Sequence, residues 1–318
     1  MIHLLATGGT IAMQRSAAAG GNLPALDARG LLELAGDPDF MGQIEVEDWE
    51  RLPAVHRGPE RMWALRSRVA DLLEVPGLTG IVITHGTDTL EETAYLLART
   101  LAPMLPVVIT GAMRTSSDAD WDGPRNLRDA MRVAADPESR GRGCLVVFAG
   151  RLLRGTDAVK LDAFAPDAFR SLHSEQLGTV DESGVRYEPA RDPQPAPLDA
   201  KDLNARVVLI PLALGDDGSL LELARPRFAG MVLEAFGRGN CPPGILPSVR
   251  RWLGEGKPVV LATRCPYGEV GGEYVFEGGG GQLLRLGVLP AGPRAASLAR
   301  LELALCLSAG VPYGGGAS

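Results

Sequence analysis

The chain has 318 residues, a formal net charge of −7 with histidine neutral, 45% apolar residues and 22% charged residues. That length is about twice the usual single domain, so two domains with sizeable cores are expected. An acidic chain is poorly suited to gripping phosphate backbones or anionic lipid over a broad surface, so nucleic-acid and membrane partners are set aside; a small-molecule substrate in a local pocket is not. No basic segment with a long apolar stretch opens the chain, and no apolar run is long enough for a bilayer, so the cytoplasm is the default location. The four cysteines, Cys144, Cys241, Cys265 and Cys306, show no CxxC spacing. They read as buried reduced thiols, and no metal-ligand cluster is visible.

Short apolar runs rich in β-branched residues alternate with amphipathic stretches. Strands are expected at Ile2–Ala6, Gly80–Thr84, 106–110 and 144–149, and helices at 89–100 and 126–135. Across 187–204 the pattern stops, with Pro189, Pro193, Pro195 and Pro197 among charged residues, as in an inter-domain linker. Strands resume at 206–210, 230–233 and 258–263, with helices at 247–254 and 294–308. The expectation is an α/β protein: a larger N-terminal domain (1–190) with a mostly parallel sheet and flanking helices, a linker (191–205) and a smaller C-terminal α/β domain (206–318). The glycine run 278–281 reads as a flexible loop.

Three segments carry candidate chemistry. Thr7-Gly8-Gly9-Thr10-Ile11-Ala12 follows the first strand, where ligands bind in open α/β sheets. Its glycines let backbone approach a ligand, and Thr10 offers a hydroxyl; a tight turn with capping threonines is the alternative. Neither GxxxxGK[ST] nor GxGxxG is present, which argues against nucleotide binding. Thr84-His85-Gly86-Thr87-Asp88-Thr89-Leu90-Glu91-Glu92-Thr93 also follows a strand and opens a helix. Thr89 with Glu92, and Asp88 with Glu91, have capping-box spacing, so this segment can be read as a helix start alone. The same helix N-terminus suits a carboxylate or an oxyanion. His85 is a possible base, although a histidine before glycine more often has a structural role. In Gly155-Thr156-Asp157-Ala158-Val159-Lys160, the lysine is either solvated or the base that activates a hydroxyl.

Together these segments resemble the L-asparaginase family of bacterial type. Residues 6–12 resemble its first signature and 84–93 its second, nearly residue for residue. Thr110-Gly111-Ala112-Met113-Arg114, Asp122-Gly123-Pro124 with Asn126-Leu127, and 157–160 match as well, as does Asn240 after Gly237-Arg238-Gly239. The resemblance spans nearly the whole chain, more weakly beyond the linker.

The resemblance implies hydrolysis of the side-chain amide of L-asparagine to L-aspartate and ammonia, without cofactor or metal, by a homodimer or homotetramer. Thr10 would attack the amide carbon to form an acyl-enzyme. Thr87, Asp88 and Lys160 would form a second hydroxyl–carboxylate–lysine set, with Lys160 as proton shuttle and electrostatic anchor. Substrate contacts would come from Gly9, Ala54, Val55, Gly86, Ala112, Asn240 and Glu277, and residues 13–24 would act as a lid. Two positions depart from the family pattern. The first tyrosine in the chain is Tyr95, so the lid lacks the family's tyrosine; and Ala54 and Val55 stand where a serine usually holds the substrate α-carboxylate. His56 or Arg57 could take over that carboxylate, as arginine grips carboxylates in bidentate fashion, or both could be surface residues. Competing expectations are a glutaminase or another amide hydrolase on the same scaffold, and a low-activity or non-catalytic amino-acid-binding relative.

Overall fold

The structure, a computed structural model, describes residues 1–35, 44–189 and 195–314. The chain divides into two compact units, Met1–Pro197 and Leu198–Ser318. Of the expected linker, 191–194 lie outside the described residues. No helix among the described residues is long and apolar enough to cross a membrane.

In chain order the first unit contains β1 (Ile2–Ala6), β2 (Met13–Ser16), β3 (Gly21–Pro24), α1 (Ala28–Ala35), β4 (Ile44–Asp48), α2 (Pro59–Leu73), β5 (Gly80–Thr84), α3 (Leu90–Thr100), β6 (Val107–Thr110), α4 (Gly123–Ala135), β7 (Cys144–Phe148), β8 (Arg151–Arg154), β9 (Ala158–Lys160), β10 (Phe169–Ser171), β11 (Gly178–Asp181) and β12 (Gly184–Tyr187). An eight-stranded sheet runs β12-β11-β8-β7-β6-β5-β1-β4. Strands β4, β1, β5, β6 and β7 are parallel, and β8, β11 and β12 extend the sheet antiparallel. The inner strands β1, β5, β6 and β7 are buried at every residue, which explains their unbroken apolar runs. On one face, Leu65, Val69 and Leu72 of α2 and Leu90, Ala94 and Leu97 of α3 pack on Leu5, Ile81, Ile83 and Ile109. On the other, Leu31 and Leu32 of α1 and Leu127, Ala130 and Met131 of α4 pack on Leu4, Val82, Val108 and Leu145.

From β1 the chain moves outward to β4 and then returns to β5 on the other side of β1. Strand order therefore reverses at the β1–β5 pair, and the crevice beyond the carboxyl ends of such a pair is where open α/β sheets bind ligands. Thr7-Gly8-Gly9-Thr10 leaves one strand there and His85-Gly86-Thr87-Asp88 the other.

The second unit has its own four-stranded parallel sheet, ordered β13 (Val207–Pro211), β14 (Gly230–Ala235), β15 (Val259–Thr263) and β16 (Leu289–Pro290). Helices α5 (Ser219–Ala224), α6 (Leu246–Gly254), α7 (Gly280–Arg285) and α8 (Ala296–Ala309) complete it. Its core gathers around the fully buried Trp252, whose indole N–H donates to Leu221 O at 3.0 Å.

Two expectations fail here. The run 278–281 is not a flexible loop: all four glycines are buried, Gly280 opens α7, and a side chain on Gly281 would lie 2.3 Å from Gly272 O. Close packing of backbone against backbone, not mobility, requires glycine there. Of the cysteines, Cys144, Cys241 and Cys306 are buried but Cys265 is exposed.

Candidate active site

The loops after β1 and β5 meet backbone to backbone. Gly8 and Gly9 take φ of 88° and 96°, and a Cβ on Gly9 would sit 2.4 Å from Gly86 N. Glycine is required at position 9 on both counts. Thr7 ties the two loops together, with its N–H donating to Thr84 O at 3.1 Å and its hydroxyl to the same oxygen at 2.8 Å. Thr10 and Thr87 each follow directly from this glycine junction. Thr10 opens a short 3-10 turn, Thr10–Ala12, and is partly exposed, whereas Thr87 is buried.

Lys160 approaches from β9. Its Nζ donates to Thr87 Oγ1 at 2.9 Å and to Asp88 Oδ1 at 3.2 Å. The lysine side chain is 18% exposed, the Asp88 side chain 65%. The position of Lys160 is set by its backbone: Lys160 N–H donates to Glu91 Oε2 at 2.8 Å, and β9 pairs with β10, whose Phe169 ring packs 4.8 Å from that of Phe148. Glu91 is thus a bracket between α3 and β9. Of the two capping-box spacings, the Thr89–Glu92 one is not closed by the threonine, since Thr89 makes no side-chain cap. Nothing in the sequence distinguishes a capping glutamate from one that reaches across to a strand.

His85 is fully buried, and desolvation, reinforced by the nearby Arg57 charge, pushes its pKa down to about 3. It is neutral. Its Nδ1 donates to Gly86 O at 2.8 Å, which leaves Nε2 to accept from Arg57 Nη1 at 3.1 Å and Thr93 Oγ1 at 3.0 Å. It is therefore a structural histidine, not a base. Arg57 is neither a surface residue nor free to hold a substrate carboxylate. Its side chain is 1% exposed; Nε donates to Glu50 Oε2 at 3.0 Å, Nη1 meets His85, and Nη2 donates to Thr7 O. His56 beside it is exposed.

The β6 loop forms a further side of the crevice. Asp122 accepts from Met113 N at 3.0 Å and Arg114 N at 2.9 Å, and Asn126 Nδ2 donates to Gly111 O at 3.0 Å. Asn126 Oδ1 also accepts from Ala149 N at 3.0 Å, bracing the only described non-glycine residue with positive φ (49°). A Cβ on Gly111 would fall 2.5 Å from His85 O, so this loop is pressed against the second one. Ala112 is fully buried in the apolar cluster that holds Ile11 and Leu127, so its side chain offers nothing to a ligand. Residues 13–24 form the β2–β3 hairpin with an exposed tip, anchored at its base by Ser116 N–H and hydroxyl donating to Met13 O.

Among the described residues no group of three or more His, Cys, Asp or Glu is gathered as a metal site requires.

A family model described as "Asparaginase, N-terminal" matches residues 1–192, and one described as "Glutaminase/Asparaginase C-terminal domain" matches 206–313. The chain belongs to the L-asparaginase family. It is similar to a probable L-asparaginase of Deinococcus radiodurans, with 37% identity covering 97% of this chain and 93% of the relative. The L-asparaginase of Bacillus licheniformis is 31% identical, with 96% and 95% covered. Among solved structures, the probable cytoplasmic L-asparaginase from Campylobacter jejuni superposes with a TM-score of 0.84 at 28% identity, covering 96% of this chain and 94% of that one.

The protein is accordingly an asparaginase-type amidohydrolase. Of the residues the family resemblance assigns to its site, Gly9 and Gly86 form the junction, and Thr87, Asp88 and Lys160 are in direct contact. Ala54 is buried against Gly86, since a Cβ on Gly86 would lie 2.7 Å from its methyl, and Val55 is exposed. Asn240 and Glu277 belong to the second unit. Asn240 Oδ1 accepts from Gly280 N at 3.1 Å, pinning the start of α7, and Glu277 is exposed.

Proposed function

We propose that this enzyme hydrolyses the side-chain amide of L-asparagine through an ester on Thr10, with Thr87, Asp88 and Lys160 as a supporting hydroxyl–carboxylate–lysine set. The observation that carries this reading is the contact of the Lys160 ammonium with both Thr87 and Asp88, one residue beyond the glycine junction that also bears Thr10. In the first step Thr10 Oγ1 attacks the amide carbon, its proton passes to the leaving nitrogen, and the C–N bond breaks to release ammonia. In the second, water attacks the ester, aspartate leaves and the Thr10 hydroxyl regains a proton. Thr87 Oγ1 accepts from Lys160, so its own O–H is directed onward, toward the substrate. The exposed carboxylate of Asp88 keeps acceptor capacity for a substrate α-ammonium. Backbone N–H groups at the loop ends serve the oxyanion, each such donor being worth about 2.7–4 kcal/mol of barrier. Residues 13–24 act as the lid that excludes water.

Ammonia release from L-asparagine tests the reading. Thr10→Ala and Thr87→Ala are each expected to lose at least about a thousandfold in kcat. A Lys160→Met enzyme with full turnover would remove the lysine from the mechanism. Glutamine is the second substrate to assay, since the matching C-terminal family is described as glutaminase/asparaginase. A cytoplasmic location, as for the Campylobacter jejuni relative described as a probable cytoplasmic L-asparaginase, and a homo-oligomeric assembly are part of the proposal.

A further inference from the structure

Arg57 takes no part in the chemistry described above, yet it lies directly beneath it. A buried guanidinium stays charged, and burying an ion pair brings little net stability compared with an apolar side chain of similar volume. Its presence there is better explained by the directions of its bonds. Nη2 grips the Thr7 carbonyl, which precedes Gly8-Gly9-Thr10, while Nη1 grips His85, which precedes Gly86-Thr87. Nε is held by Glu50, just past β4, and Glu50 is itself 15% exposed and also paired with Arg61. One rigid planar fork therefore spans the segments after β4, β1 and β5.

We propose that Arg57 is a positioning residue, a clamp that fixes the separation of the Thr10 and Thr87 loops by holding Thr7 O and His85 Nε2 at once. The histidine is a fitting partner because its Nδ1 is spent on Gly86 O at 2.8 Å, which fixes the tautomer and leaves a single lone pair for Arg57 and Thr93. The clamp thereby reaches the backbone of the residue that Gly9 abuts. Small displacements at such a junction are costly to rate, because an attacking atom about 1 Å out of place loses on the order of a hundredfold.

The inference rests on the Thr10–Thr87 reading, and a Thr10→Ala control separates the two: full turnover in that variant overturns the reading, whatever Arg57 does. Two variants test the clamp with L-asparagine as substrate. Arg57→Lys keeps a buried cation but cannot span three acceptors. Arg57→Met leaves no uncompensated buried charge, since Glu50 is partly exposed and keeps Arg61. In whichever of the two melts cooperatively with native circular dichroism, kcat per folded molecule falls at least tenfold while KM stays within threefold, and Arg61→Ala leaves both constants unchanged. The clamp is overturned if a folded Arg57→Lys or Arg57→Met enzyme has a kcat within twofold of the parent, or if activity is lost only in proportion to the unfolded fraction.

Discussion

His85 illustrates how surroundings decide the role of a residue. A histidine in an asparaginase signature invites assignment as a base, but with a pKa held near 3 it stays neutral at working pH, its one N–H committed to Gly86 O. The unfolded chain titrates near 6.5, so below that pH it binds a proton that folded His85 refuses, and stability falls as pH drops from 6.5 toward 3. The slope from this residue is about 1.4 kcal/mol per pH unit. His85→Gln is expected to be less stable than the parent at pH 7 by about 1–3 kcal/mol, from hydrogen bonds lost to Arg57 and Thr93. The gap should narrow by about 2 kcal/mol between pH 6.5 and 5, as read by urea unfolding; a constant gap would mean that His85 titrates normally. Thr87, Asp88 and Lys160, which the structure brings into contact, stood out in the sequence together with the proposed nucleophile Thr10 because motif and candidate chemistry coincide there. Arg57 was noticed only as a possible carboxylate holder or a surface residue, because a lone arginine after a proline-led turn carries no signal of burial, and the parts played by Glu50, Thr93 and Glu91 emerged only once the fold brought them together.

Among elements, the buried strands were the easiest to read. Full burial on a parallel sheet demands continuous apolar runs, so Ile2–Ala6 and Gly80–Thr84 appear with the bounds expected. Helix starts were harder: α4 begins at Gly123, three residues before the expected 126, because Pro124 in its first turn is compatible with helix. The antiparallel strands β8 to β12 are too short and mixed in polarity to announce themselves. The glycine junction of the first two loops is the element on which the site depends. Gly9→Ala combines a disfavoured φ with a backbone clash, and is expected to destabilise the protein by at least about 2 kcal/mol and to abolish ammonia release. Thermal melts with a parallel activity assay check this, and an active Gly9→Ala enzyme would show that the loops need not touch.

At the scale of the whole molecule, each unit encloses its own core, one about the eight-stranded sheet and one about Trp252. A core of this size around four parallel strands is expected to sustain residues 198–318 alone. Expressed separately, that segment should melt cooperatively by circular dichroism; a non-cooperative melt would show that it depends on the first unit. The two-unit organisation was visible in the sequence because strand–helix alternation stops and resumes around a proline-rich stretch. Oligomeric state has no such local signature, and light scattering on the purified chain is the measurement that assigns it.

Rapid-quench mass spectrometry during turnover of L-asparagine addresses the covalent role of Thr10 most directly. The account predicts a transient aspartyl ester on the peptide that contains Thr10, absent in Thr10→Ala and prolonged where water is slow to attack. An ester found on Thr87 instead, with Thr10 unmodified at every time point, would contradict it.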